Sequence, residues 1–375
     1  MTLADQVPIQ PARPGAGWLM RLVASRRFQS FVSAVPGLRR IARADGEALF
    51  DLVAGFVQSQ VLAAVVELRL LHRLMEDGPL DAGALALGTG ISAVRISNLC
   101  DAACALGLMV RRGDRYRIAR RGAALIGVPG LEGMISHHSV LYRDMADPLA
   151  VLRGEETKLA QFWPYVFGAR AATDPSTAQR YSDLMADSQV LVAEETLRLI
   201  DLSKARHVLD VGGGTGAFLT ALGQRHAGPR LHLFDLPAVV PAAESRFAGA
   251  GLSERSQITP GSFRDQALPE GADTVTLIRV LYDHSDETVM ALLRAVREVL
   301  PPGGRVVVSE PMTGGRRPNR SGDVYFRFYC MAMATGKARP SWEITDLLRK
   351  AGFDDVRRPR SSRPFVTSVV TAVRP

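Results

Sequence analysis

The sequence predicts an α/β protein with a doubly wound, Rossmann-like sheet in its C-terminal half and a mostly helical, winged-helix-like half in front of it. Two patterns and one length predict this. From Ala205 onward, short β-branched runs alternate with helical stretches, the pattern of a parallel sheet with helices on both faces. Between Glu47 and Ile118, apolar residues at helical spacing give way to a short hairpin. At 375 residues the chain exceeds the usual size of one core, so two domains are the natural division.

Residues 1–44 form a basic arm. Arg13, Arg21, Arg26, Arg27, Arg39, Arg40 and Arg43 stand against Asp5 alone, a net +6 of the chain's +8, with Trp18, Leu19, Met20, Leu22, Phe28 and Phe31 interleaved. Such a segment suits an anionic membrane surface or nucleic acid. A solvated, partly ordered arm is the plainer alternative.

Residues 45–130 are expected to form the winged helix. Leu49, Leu52, Val53, Phe56, Val57, Val61 and Val65 recur at helical spacing and predict a long amphipathic helix over Glu47–Leu74. Asp51, Gln58, Gln60 and Glu67 interrupt its apolar run, so it is expected to be buried or dimer-forming and not a membrane span. Helices follow over Ala82–Leu87 and, capped by Ser92, Ala93–Leu106; Val110–Ile118 makes a hairpin with Gly113-Asp114 at its tip. Winged helices commonly read DNA, and Arg95, Arg111, Arg112, Arg115 and Arg117 could contact phosphates. The enzymatic look of the remainder favours a dimerisation platform with no nucleic-acid partner.

Residues 131–200 continue the helical pattern and are expected to wall a substrate pocket. Residues 201–375 hold strands at His207–Val211, Leu231–Phe234, Thr274–Leu281 and Arg305–Ser309 and end in a hairpin within Val356–Val373. Ligands of such sheets bind at the carboxyl ends of the strands.

Composition excludes several classes. A 47% hydrophobic and 22% charged chain is an ordinary globular protein, not a disordered one. Three cysteines, with Cys100 and Cys104 four apart and no neighbouring His, support neither a disulfide framework nor a metal site. The start lacks a basic region followed by an apolar run, so no secretory signal is expected. A cytoplasmic protein is the expectation, with its arm in peripheral contact with the inner membrane.

The sharpest motif runs from Val208 to Leu219: a strand, the turn Gly212-Gly213-Gly214-Thr215-Gly216, then a helix. Glycines let the backbone turn tightly and let a ligand approach, and the helix start offers free N–H groups to an anion. Gly212, Gly214 and Ala217 also fit the dinucleotide fingerprint, so the glycines alone do not choose the ligand. The acids choose it. Asp210, at the strand end, would repel a pyrophosphate but suits the ammonium of a methionine moiety. Asp235, at the next strand end, is placed for two ribose hydroxyls.

At these residues the chain resembles the class I small-molecule O-methyltransferases of the plant caffeate type and their bacterial relatives, from about Glu47 to the end. Asp210–Gly216, Asp235-Leu236-Pro237, Gly261-Ser262-Phe263, Val280–Glu287, Glu310-Pro311 and Ala351-Gly352-Phe353 carry the resemblance. Leu49–Leu62, His137–Asp144, Phe162-Trp163-Pro164-Tyr165 and Val280–His284 are similar to the branch that acts on acyclic hydroxycarotenoids in purple phototrophic bacteria. The resemblance implies S-adenosylmethionine as cofactor, a homodimer built through the N-terminal helices, and a hydrophobic hydroxycarotenoid acceptor made in carotenoid biosynthesis. It implies Asp235 on the ribose, Leu236 and Phe263 flanking the adenine, and a base just after the fourth strand. Methylation of another small molecule (polyketide, aromatic or tetrapyrrole) would keep the same cofactor site. A DNA-binding regulator with a relic domain is the distant alternative.

The candidate cofactor set is Asp210, Gly212, Gly214, Gly216, Asp235, Leu236, Ser262, Phe263 and Arg279. Ser262 stands where the family usually has Asp. Where the family has a catalytic His followed by Asp-Trp, this chain has Tyr282, Asp283 and His284. An imidazole accepts a proton at neutral pH far better than a phenol, so His284 is expected to be the base, Tyr282 to hydrogen-bond the hydroxyl, and Asp283 or Glu310 to orient the imidazole. His138, Trp163, Tyr165, Tyr181 and Met185 are the candidate acceptor walls, and packing is the plainer role for His137-His138.

Overall fold

The structure, a computed structural model, describes residues 17–162 and 188–375. The expected pocket walls Trp163, Tyr165, Tyr181 and Met185 lie outside the described residues.

The arm is not separate from the long helix. Helices Trp18–Val23 and Arg26–Ala34 lead into a 32-residue helix, Pro36–Glu67, so the expected boundary at residue 44 falls inside a continuous element. Pro36, whose fixed φ suits a first helical turn, starts it. Left-handed Arg69 (φ 52°) ends it, and Leu70–Glu76 begins anew. One face of the long helix is bare in the single chain: Leu49, Phe50, Leu52, Val53 and Phe56 are all exposed. By length and apolarity this helix could cross a membrane.

The winged helix forms as expected. Helix Ala93–Ala105 packs with hairpin β2 (Met109–Arg112) and β3 (Arg115–Ile118), to which a short β1 (Leu80–Asp81) adds an edge. Val65, Leu70, Leu71, Leu85, Ile96 and Tyr116 make its core. Ser92 precedes the helix but its hydroxyl makes no cap bond. The three cysteines are free, and no metal-binding cluster occurs among the described residues.

The C-terminal sheet has seven strands: β4 (His207–Val211), β5 (Arg230–Asp235), β6 (Ser256–Pro260), β7 (Thr274–Ile278), β8 (Arg305–Glu310), β9 (Asp354–Arg357) and β10 (Ser368–Val373). Their order is β6-β5-β4-β7-β8-β10-β9, parallel except that β10 runs antiparallel to β8 and β9. The sequence pattern missed β6, whose residues are mostly half-exposed at the sheet edge and so lack a clear apolar run. The strand expected over Thr274–Leu281 stops at Ile278; Leu281–Asp283 is a 3₁₀ turn. Residues 188–199 are helical and bind the sheet through a buried hydroxyl chain, Thr196–Ser309–Thr367, at 2.6 and 2.9 Å. Leu141, Val151 and Leu159 pack on Tyr329, Ala332 and Met333, joining the 131–162 helices to the region after β8, beside the carboxyl ends of the strands.

Candidate functional site

The glycine turn stands at the carboxyl end of β4. Gly212, Gly214 and Gly216 all have φ between 62° and 73°, which favours glycine strongly. A Cβ on Gly212 would meet Val280 at 3.0 Å and one on Gly216 would meet Phe247 at 2.7 Å, so these two are also set by packing. Gly214 has nothing within 4 Å of where its Cβ would be, which leaves the crown of the turn open for a ligand.

Asp235 is locked against this crown. Its Oδ2 accepts from Gly214 N–H and its Oδ1 from Leu236 N–H, both at 2.6 Å. Burial raises its pKa and the two amides oppose the rise. The loops after β5 and β6 are tied by Gly261 N–H donating to Asp235 O at 2.8 Å, which brings Leu236, Ser262 and Phe263 to one edge of the cleft. The Ser262 Oγ accepts from Arg264 N–H at 3.2 Å.

Asp210 departs from the expectation. It is fully buried, accepts from Thr276 Oγ1 at 2.6 Å, and its Oδ2 has no partner. A Cβ on Gly213 would sit 2.3 Å from that oxygen, so the carboxyl lies beneath the turn and supports it instead of facing the cleft. Burial pushes its pKa up to about 7. An open crown, a fixed carboxylate at the next strand end and an apolar edge fit a nucleoside with a charged tail.

The loop after β7 carries the expected catalytic residues, and the structure separates them. Arg279 closes the strand in the left-handed region (φ 59°), a strained conformation of the kind that collects at functional sites. Expected among the cofactor residues, it reaches towards Ser188 and Tyr282: Nη1 donates to Ser188 Oγ at 2.8 Å and Nη2 to Tyr282 Oη at 3.4 Å. Tyr282 is buried, which raises its phenol pKa. Asp283 has an unpartnered Oδ1, and burial pushes its pKa up to about 7 against the pull of Arg279.

His284 turns away from both. Arg264 Nη2 lies 2.9 Å from its Nδ1; a guanidinium only donates, so the ring's lone pair is already engaged. The edge of the imidazole meets Phe263, centroids 5.2 Å apart. Burial, with Arg264 and Arg339, lowers its pKa to about 4. The Nδ1 lone pair of the expected base is therefore not free to take a proton. Neither Asp283 nor Glu310 orients the ring. Glu310 accepts from Leu281 N–H, and burial pushes its pKa up to about 8, so its task is to hold the turn.

Arg339, which sequence reasoning missed, staples this turn. Fully buried, it donates to Leu281 O and His284 O, each at 2.8 Å, and pairs with Asp286 at 2.7 Å. Also missed were Tyr325 and Tyr329, which meet the histidine pair. His138 Nε2 lies 2.5 Å from Tyr325 Oη, and His137 Nε2 lies 2.9 Å from Tyr329 Oη. The only available signal was the i, i+4 spacing of two tyrosines after β8, and nothing in the sequence links it to residues 137 and 138.

Comparison with known proteins gives this geometry a family. Residues 142–354 match the O-methyltransferase domain and residues 50–126 the O-methyltransferase dimerisation domain. The chain is 55% identical over 370 residues to demethylspheroidene O-methyltransferase of Cereibacter sphaeroides, covering 97% of each chain. It is 50% identical to the enzyme of that name from Rhodobacter capsulatus, covering 98% of this chain and 91% of that one. The solved structure of human N-acetylserotonin methyltransferase in complex with SAM superposes with a TM-score of 0.75 at 26% identity, covering 88% of this chain and 97% of that one. The chain therefore belongs to the O-methyltransferase family, with the family's dimerisation domain in front of its catalytic domain.

Proposed function

We propose that the protein uses S-adenosylmethionine to methylate a hydroxyl group of an acyclic hydroxycarotenoid, as a homodimer paired through the exposed face of helix Pro36–Glu67. The observation that carries the acceptor is the near full-length 55% identity to a demethylspheroidene O-methyltransferase. The cofactor is supported by the crown of Gly214 and the carboxylate of Asp235, set side by side. When bound, S-adenosylmethionine supplies an electrophilic methyl on a sulfonium. The protein's part is positioning, because in-line displacement is dominated by orientation. Asp235 holds the ribose hydroxyls, Leu236 and Phe263 flank the base, and the turn fixed by Glu310 and Arg339 sets Tyr282 and Arg279 towards the acceptor.

The test is turnover of labelled S-adenosylmethionine with a panel of hydroxylated carotenoids, phenols and polyketides. Methylation of acyclic hydroxycarotenoids alone is expected; preference for a phenol defeats the reading.

The acceptor's apolarity gives the arm a role. Trp18, Leu19, Met20 and Phe31 are exposed beside Arg21, Arg26 and Arg27. This mixture suits the surface of an anionic membrane, where each basic residue is worth about 1 kcal/mol. A chain beginning at Pro36 is expected to lose co-sedimentation with anionic vesicles; equal sedimentation with and without the arm counts against membrane docking.

A further inference from the structure

Removal of the acceptor proton needs a base, and after β7 the buried Asp283, with its unpartnered Oδ1, is the alternative to a pair across the cleft. His284 has its lone pair on Arg264, Glu310 is spent on the Leu281 amide, and the Tyr282 hydroxyl lies against the Arg279 guanidinium.

Across the cleft stand two His–Tyr pairs. Helix Leu131–Met145 presents His137 and His138, and the segment after β8 presents Tyr329 and Tyr325 one turn apart. The pairs look alike but differ in place. His137 and Tyr329 are both buried, and Tyr329 belongs to the apolar cluster with Leu141, Val151 and Leu159, so this pair is core. His138 and Tyr325 are each half-buried. Tyr325 meets Phe326 edge-on at 4.9 Å, and Phe326 meets Tyr282 edge-on at 6.5 Å, which sets Tyr325 on the same wall as Tyr282 and Arg279.

The backbone there is unusual too. Arg320–Phe326 is a seven-residue π-helical stretch that continues into helix Arg327–Ala332. π-helical turns are rare and frequent at functional sites. This one is held deliberately: Asn319 Oδ1 accepts from Gly322 N–H at 2.7 Å, Asp323 accepts from Gly314 N–H at 2.7 Å, and a Cβ on Gly322 would strike Met312 O at 2.3 Å.

We propose that Tyr325 and His138 together remove the acceptor proton, Tyr325 as the catalytic residue touching the hydroxyl and His138 as the positioning residue that takes the proton on. The inference rests on the O-methyltransferase reading above. The 2.5 Å contact places the Tyr325 hydroxyl where it donates to His138 Nε2 when that nitrogen is the unprotonated one of the neutral imidazole. As the methyl–oxygen bond forms, the alcohol O–H bond breaks and its proton passes to Tyr325 Oη. The phenolic proton passes at the same time to His138 Nε2, and the electron pair of the broken sulfur–carbon bond stays on sulfur. No phenolate accumulates, which suits a phenol whose pKa burial has raised. Burial also lowers the His138 pKa, which keeps the imidazole neutral at neutral pH.

The full-length enzyme carrying Tyr325→Phe or His138→Gln tests this, with Tyr329→Phe as the control. General-base assistance is worth about 10²- to 10⁴-fold, so kcat is expected to fall by at least about 10²-fold in each of the first two. KM for the acceptor and the calorimetric Kd for S-adenosylmethionine should stay within about threefold. The double variant should be no slower than the slower single one, because the residues act as a unit. Tyr329→Phe should lower the melting temperature and leave kcat nearly intact. His138→Gln within a few-fold of the wild type in kcat, or Tyr329→Phe as slow as Tyr325→Phe, overturns the proposal. A wild-type enzyme that turns over no hydroxycarotenoid counts against the substrate reading instead, and the same variants are then compared on the acceptor it does methylate.

Discussion

On the cofactor side of the cleft, one short run of chain, Asp210 to Gly216, makes the turn, and its partner Asp235 follows 21 residues after Gly214. On the acceptor side, His138 meets Tyr325 across 187 residues, and Arg279 meets Ser188 across 91. The cofactor side is built from backbone conformation, which a few glycines and one acid specify locally. The acceptor side is built from side chains that four separate segments bring together. A side of the first kind can be kept while the other is rebuilt, as fits a family in which chains of very different named activity share one fold.

The largest expected effect is on stability against pH, and it draws on both sides. Burial holds His137, His232 and His284 at about 4 each. Their folded pKa lies below the unfolded value near 6.5, so the unfolded chain takes up protons first. The stability they contribute is present above about pH 6.5 and is lost as pH falls towards 4. Asp210 and Asp283, raised to about 7, and Glu310, raised to about 8, act in the opposite sense. Their contribution is present below their unfolded values near 4 and is lost as pH rises from there through 7 to 8. Between about pH 4 and 6.5 the two sets offset each other, so the melting temperature should hold through that window and fall from about pH 6.5 to 8, and Glu310→Gln should flatten that fall. A profile flat from about pH 5 to 9 contradicts this.

Next in size is Arg339→Met. It leaves the carbonyls of Leu281 and His284 buried without their donor, at about 1–3 kcal/mol each. Because that turn borders both sides, urea unfolding should show the loss, while cofactor affinity and acceptor KM should both worsen. Worsening of only one would show that the turn serves one side alone.

Asp235→Ala probes the cofactor side by itself. If Asp235 holds the ribose hydroxyls as proposed, its removal should cost about 1–3 kcal/mol, or roughly 5- to 150-fold in the calorimetric Kd, with little change in acceptor KM. An unchanged Kd removes Asp235 from the site.

The same contrast explains what could be read from the sequence. The β4 strand, its turn, Asp235 and the hairpin β2–β3 were legible because each is a local pattern. The continuity of the helix from Pro36 through Glu67 was hidden by the arginines that made its first turns look like a separate arm. Asp210 was read as a ligand because a strand end normally opens on the cleft; here Thr276 and Gly213 close over it. The Tyr325–His138 pair was invisible, since no periodicity spans 187 residues and a π-helical stretch leaves no simple spacing rule.

The smallest expected effect on kcat, and the one that bears most directly on the difference between the two sides, is that of His284→Ala. From its place two residues past the family's usual base, His284 looked catalytic. In the structure Arg264 already donates to Nδ1, so the remaining ring nitrogen of the neutral imidazole carries the hydrogen and has no lone pair to offer. What the ring does contribute is an edge against Phe263, and such a pair is worth about 0.5–1.5 kcal/mol. His284→Ala should therefore leave kcat within about threefold, while Phe263, freed on one edge, holds the adenine less well and the Kd for S-adenosylmethionine rises roughly 2- to 12-fold. If kcat instead falls by about 10²-fold at unchanged cofactor affinity, His284 belongs to the acceptor side. The proton would then leave through the loop after β7 and not through Tyr325, and the division of the cleft into a backbone-built half and a side-chain-built half would fail at its centre.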